Sequence, residues 1–151
     1  MWLISVDPST KEFAISIFKN QKVKRCLKIP ADNIVELQRL FNKYSPFLLA
    51  IEYQYFFRNP KTLISLVESR TRLETIAFMC GCKGIYRIRP SNWQKLLTDK
   101  RLKRAVLKEL SLKYAKKKVK KKIDHDIADS ICIGFFVYQN FQKLECEVIN
   151  V

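Results

Sequence analysis

Four acidic residues stand where carboxylates are costly. Asp7 closes the apolar run 2–6, and Glu52 closes the apolar run 47–51. Asp126 and Asp129 lie three apart at the start of a segment with helical apolar spacing, which puts both on one helix face. Buried carboxylates are rare unless paired or metal-bound, and the carboxyl edge of an α/β sheet is where such folds place their chemistry. Taken singly, Asp126 and Asp129 read equally well as first-turn acids that complement the helix dipole, and Asp124 reads as a helix cap. Four carboxylates at three element ends in a strongly basic chain need a further reason, and divalent cations supply one. Mg²⁺ binds through carboxylates completed by substrate phosphate oxygens. Two such ions about 4 Å apart can activate a water and stabilise the leaving oxygen of a phosphodiester.

Other chemistries are poorly served. The three glycines, Gly81, Gly84 and Gly134, are too few for a P-loop or a dinucleotide cradle. A single histidine, His125, speaks against a serine–histidine pair or a multi-histidine metal centre. Cys26, Cys80, Cys82, Cys132 and Cys146 are odd in number, and the lone C-x-C at 80–82 has no second pair to complete a zinc site. Reduced thiols in a reducing compartment are expected. The opening MWLISVDPST lacks the basic and long apolar regions of a signal peptide, and the apolar stretch 131–138 is too short to span a bilayer.

The charge is concentrated. Of 29 Lys+Arg residues, 16 fall within 81–122, against 2 acidic residues there, so nearly all of the net charge of +15 belongs to that segment. A polyanion relieves the self-repulsion of such a cluster and gains affinity from counterion release. A lysine run alone would read as a solvated face or a nuclear address. Because the excess continues back through the apolar-periodic stretch 99–115, a nucleic-acid surface is favoured, with Lys100, Arg101, Lys103, Arg104, Lys117, Lys118, Lys120 and Lys121 as its candidates. An anionic membrane is the weaker partner, since the segment lacks a large apolar insertion face.

The elements that must carry these residues follow from periodicity. Strands are predicted over 2–6, 13–18 and 23–29, the third a candidate edge strand with exposed lysines. A helix follows over 32–44, then a central strand over 47–51 buried on both faces. Asn59-Pro60 opens a helix through Met79, with Asn59 as its cap, and Gly81 and Gly84 end it. A short strand at 85–88, a short helical piece at 92–97, a basic helix over 99–115 and a last helix over 124–141 complete the order βββαβαβαα. One α/β domain over 1–151 is expected, with a mixed five-stranded sheet flanked by helices.

Four stretches carry a family resemblance. ISVDPST…FAISIF resembles the opening strands of the ribonuclease H-like superfamily. The stretch 50–59, AIEYQYFFRN, resembles the second motif of RuvC-type Holliday junction resolvases, and HDIADS at 125–130 resembles their last, D-A-A-D-A. The short length and the P-S-x-W-x-K stretch at 90–95 are most similar to the poxvirus resolvases. The resemblance spans nearly the whole chain. It implies a metal-dependent endonuclease that nicks four-way DNA junctions symmetrically, with Asp7, Glu52, Asp126 and Asp129 binding two Mg²⁺ ions for which Mn²⁺ can substitute. It implies that Lys95 stands near the scissile phosphate, that Tyr55 contacts distorted bases and that Arg58 touches backbone phosphate. It further implies a homodimer, for which the apolar helix over 60–79 is the candidate interface, and a viral protein acting on replicating DNA in the host cytoplasm. Ser9 departs from the glycine that usually follows D-P in the family. Two other readings compete: a related nuclease acting on flaps or RNA–DNA hybrids, and a non-catalytic basic nucleic-acid-binding module. The module leaves the four carboxylates unexplained.

Overall fold

The computed structural model describes residues 1–54 and 58–148. Strands β1 (Trp2–Pro8), β2 (Glu12–Lys19) and β3 (Lys22–Pro30) form an antiparallel meander. Helix α1 (Ile34–Tyr44) leads to β4 (Phe47–Glu52), which lies parallel to β1. Helix α2 (Pro60–Met79) leads to β5 (Cys82–Ile88), parallel to β4. A short helix α3 (Pro90–Trp93) runs into a 3₁₀ turn over Gln94–Leu96. Then come α4 (Arg104–Lys118), α5 (His125–Asn140) and a two-residue β6 (Glu147–Val148). The sheet order is β3-β2-β1-β4-β5-β6.

The two central strands alternate strictly, as a sheet covered on both faces requires. Ile4 and Val6 of β1, with Leu49 and Ile51 of β4, pack under α1 and α2 with Leu37, Phe41, Leu73 and Ala77. Leu3 and Ala50 point the other way, into a cluster with Cys132, Ile133 and Val137 of α5. Counting on by twos puts Asp7 and Glu52 on the α5 face. The parallel register ends at Val6 opposite Ile51, so Asp7 and Glu52 are the next residues of adjacent strands.

Helix α5 approaches the sheet closely. A Cβ on Gly134 would stand 2.3 Å from the Phe18 ring and 3.0 Å from Ser5 Oγ, so only glycine allows this approach. Just before it, three fully buried serines form a polar bridge between strand and helix. Ser5 Oγ donates to the Ser130 carbonyl (2.6 Å), and the Ser16 and Ser130 hydroxyls are 2.6 Å apart. Satisfied buried hydroxyls of this kind have directional geometry, unlike apolar contacts.

Several features differ from the sequence expectation. Strand β5 begins at Cys82 rather than 85, so Gly84 lies inside the sheet and does not end α2. The sheet has a sixth strand, β6, whose two residues carried no periodic signal; Arg87 of β5 ties it down through ion pairs to Glu147 and to Glu74 of α2. The basic helix begins at Arg104 and runs to Lys118, not over 99–115. Thr98 Oγ1 accepts from the Lys100 amide (3.1 Å), and a local turn of this kind competes with helix. Helix α1 begins at Ile34 rather than 32, because Asn33 caps it by accepting from the Glu36 amide.

Candidate active site

The four acidic residues line one cleft of about 700 Å³ at the carboxyl edge of β1 and β4. Each arrives by a different local device. Asp7 precedes a tight turn in which Ser9 Oγ accepts from the Glu12 amide (3.0 Å) and donates to the Glu12 carbonyl (2.7 Å). The hydroxyl thus closes the turn where glycine was expected. Glu52 ends β4 and accepts from Trp93 Nε1 (2.6 Å), so helix α3 orients it. Asp126 and Asp129 occupy the first turns of α5, whose cap is Asp124 accepting from the Ile127 amide (2.9 Å). Asp129 accepts from Ser111 Oγ of α4 at 2.5 Å.

The electrostatics are strained. Burial raises the Asp7 pKa well above its ordinary value, and the charges of Glu52, Asp129 and Asp126 push it further; Lys108 opposes them. Burial pushes Glu52 up to about 7 against the Trp93 hydrogen bond, with Asp129 adding repulsion and Arg104 and Arg70 relieving it. Burial pushes Asp129 up to about 6 despite the Ser111 hydrogen bond, with Asp126 adding repulsion. Clustered carboxylates whose charges disfavour one another carry a cost that a bound cation would relieve.

The donor set suits a hard divalent ion. All four donors are carboxylate oxygens, and the cleft is open, so waters and a phosphate can complete an octahedral shell. Among the described residues no three acidic, histidine or cysteine side chains stand close enough together to hold an ion as they are placed. Asp126 is engaged elsewhere: Lys28 Nζ lies 3.2 Å from its Oδ2.

The rim is basic, but not quite as the sequence reading had it. Arg58 and Arg104 both line the cleft. Lys95 does not line it; that lysine is exposed on the 3₁₀ turn, while its neighbour Gln94 faces the cleft. Lys108 of α4 lines it and acts on both Asp7 and Asp129. Its position one helical turn beyond Arg104 was the available signal. Asn59 caps α2 by accepting from the Lys61 amide (3.0 Å). Tyr55 lies outside the described residues. Lys100, Arg101 and Lys103 are exposed ahead of α4, and Lys117 is exposed on its last turn. Lys118, Lys120 and Lys121 line a separate groove of about 490 Å³ with Lys24, Arg25 and Lys28 of the edge strand β3.

A mixed sheet in this order, with antiparallel β1–β3, parallel β4 and β5 and the acidic pair at the β1/β4 edge, defines a ribonuclease H-like fold of the RuvC type. Solved structures agree. The chain is similar to Thermus thermophilus RuvC in complex with a Holliday junction substrate, with TM-score 0.76 and 14% identity over 99% of both chains. It is similar to the fowlpox virus resolvase in complex with its Holliday junction DNA, with TM-score 0.65 and 20% identity over 95% of this chain and 100% of that one. A crystal structure of the fowlpox virus Holliday junction resolvase gives TM-score 0.66 at 18% identity, over 92% and 99% of the two chains. No protein-family model and no curated protein sequence matches the chain.

Proposed function

We propose that the protein is a metal-dependent endonuclease that resolves four-way DNA junctions. One observation carries the reading: Asp7, Glu52, Asp126 and Asp129, from three distant stretches of chain, line a single cleft rimmed by Arg58, Arg104 and Lys108. A non-catalytic binding module has no use for four mutually repelling carboxylates beside a phosphate path. The proteins with the same fold that were solved with Holliday junction DNA support the choice of substrate.

Asp7, Glu52, Asp126 and Asp129 would hold the ions, Mg²⁺ in the first instance. Bound divalent cations supply a water activated for in-line attack on phosphorus and charge stabilisation for the leaving oxygen. Trp93 and Ser111 fix the Glu52 and Asp129 carboxylates by hydrogen bonds. Lys108 and Arg104 line the cleft where the extra negative charge of the pentacovalent phosphate develops, and positive groups held in place there stabilise it. The products are a 5′-phosphate and a 3′-hydroxyl, with no covalent enzyme intermediate.

Two symmetric nicks call for a twofold dimer. Helix α2 supplies a suitable face: Ile64, Val67, Phe78 and Met79 are 58, 41, 48 and 70% exposed. They form two exposed apolar patches, one near each end of the helix, of the kind a subunit interface covers. The same reading extends to a viral role in the host cytoplasm, which rests on the poxvirus likeness.

The test is cleavage of a labelled synthetic four-way junction in Mg²⁺ beside a linear duplex, with Asp126→Asn as control. Paired nicks in the junction alone, absent in the variant, are expected. Junction binding without cleavage in either Mg²⁺ or Mn²⁺ would reduce the protein to a DNA-binding module.

A further inference from the structure

Lys28 belongs to two sites at once. Its ammonium, on the edge strand β3, lies 2.5 Å from Asp124, 3.2 Å from Asp126 and 3.3 Å from Glu12. Asp126 lines the acidic cleft, whereas Lys28 and Asp124 line the basic groove between β3 and the loop joining α4 to α5. The cleft and the groove therefore meet at one ion pair. The other cations of the groove, Lys24, Arg25, Lys118, Lys120, Lys121 and Lys122, come from two chain segments about a hundred residues apart. Their common counterion is a phosphodiester backbone.

The pairing is labile by construction. The Lys28 side chain is 27% exposed, and those of Asp126 and Asp124 are 50 and 51% exposed, so water and salt compete for every contact. A carboxylate that accepts from an ammonium has one fewer lone pair aimed at a cation. Resting on the nuclease reading above, we infer that Lys28 is a positioning residue that withholds Asp126 from the cation site until DNA enters the groove. A backbone phosphate in the groove offers the ammonium a second anion. When Lys28 turns to it, Asp126 is freed to complete the cation shell. Metal occupancy is thereby linked to substrate: each binds better in the presence of the other, with the reciprocity that linkage demands. Asp124 stays behind as the cap of α5, which keeps the helix in place during the exchange.

The test measures Mn²⁺ affinity directly, by the electron paramagnetic resonance signal of the free ion, on the full chain. Wild type, Lys28→Met, Asp126→Asn and the double variant are compared, each with and without a linear duplex that is bound but not cut. Lys28→Met is expected to bind Mn²⁺ about tenfold more tightly than wild type without DNA, and to lose most of the tightening that duplex produces in wild type. Removing one positive charge raises cation affinity by itself, so the double variant is decisive: the gain from Lys28→Met must fall to less than half when Asp126 is Asn. A gain of equal size in the Asp126→Asn background, or no gain at all, overturns the inference. Lys28→Arg keeps the charge and the reach, and should restore wild-type behaviour; a failure to do so counts against the withholding role. Melting curves confirm that each variant is folded before titration. If wild type cuts junctions in Mg²⁺ and these affinities fail to change, only the role of Lys28 falls. If neither wild type nor Lys28→Met binds Mn²⁺ with DNA present, the nuclease reading falls with it.

Discussion

The acidic cleft and the basic groove share a border, yet they hold charge in opposite ways. In the cleft, like charges are buried against a sheet edge, and the chain bears the cost as carboxylates that resist ionising. In the groove, like charges stand on long exposed stems along β3 and the α4–α5 loop, where water and salt already weaken their repulsion. On the proposed reading, buried charge is matched to a compact ion that must be gripped at fixed distance. Solvated charge is matched to a long polyanion whose phosphates need only be near. Neither arrangement helps the free protein fold, which accords with the function proposed for them.

The sharpest way to break this contrast is to neutralise one charge in each region. Asp7→Asn should lower the junction cleavage rate by about a thousandfold or more, as loss of a metal ligand does to this class of chemistry. Junction binding should be retained in a gel-shift assay. The same substitution should raise the melting temperature of the cation-free protein by about 3 °C or more, the shift about 1 kcal/mol produces in a chain of this size. A cleft that held its charges comfortably would instead lose stability. In the groove, Lys120→Ala with Lys121→Ala should weaken DNA binding about tenfold at moderate salt and reduce the slope of affinity against salt by about two. Single-turnover cleavage at saturating DNA should change little. A loss of rate at saturation would show that the groove reaches the chemistry directly.

The pH response follows with a definite sign. Folded Glu52 and Asp129 hold their protons up to about pH 7 and 6, against ordinary values of 4.5 and 3.8. Between those limits the folded state binds more protons than the unfolded one, so stability falls as pH rises. The cation-free protein should melt higher at about pH 5 than at about pH 7.5, and Mg²⁺ should recover stability at the higher pH, because it binds only the folded, ionised cleft. Calorimetry in chelator and in Mg²⁺ separates the two. The smallest effects belong to the residues that aim the ligands. Ser111→Ala and Trp93→Phe should each cost about tenfold in rate, with a higher Mg²⁺ requirement, since second partners of metal ligands have effects of this size.

Much of this was legible along the chain. Asp7 and Glu52 declared themselves because each ends a largely apolar strand, and an acid at the end of a buried strand has no bland place there. Asp126 and Asp129 followed from helical spacing. The edge placement of β3 was visible in its lysines. What local pattern cannot carry is the meeting of distant side chains. Trp93 reaching Glu52 and Ser111 reaching Asp129 depend on how helices dock, and Lys28 meets Asp126 across 98 residues of sequence. Lys95 and Lys108 look alike in composition; only the phase of α4 turns Lys108 toward the cleft while the 3₁₀ turn leaves Lys95 outside it. The start of α4 and the strand β6 were lost to a turn and to brevity.

The serine bridge beneath Gly134 bears on tolerance. Apolar packing sets how far a helix stands from a sheet, but it resists sliding along the sheet only weakly, since one methyl group is much like the next. Ser5 precedes Asp7 by two residues, and Ser130 follows Asp129 by one. Their 2.6 Å contact is thus a short gauge laid between the two halves of the proposed cation site. A cation that demands ligand distances near 2.1 Å tolerates little play in that gauge. The hydroxyls are the stop that halts the helix at the right notch, and the core around them could be refilled with other apolar residues without resetting it.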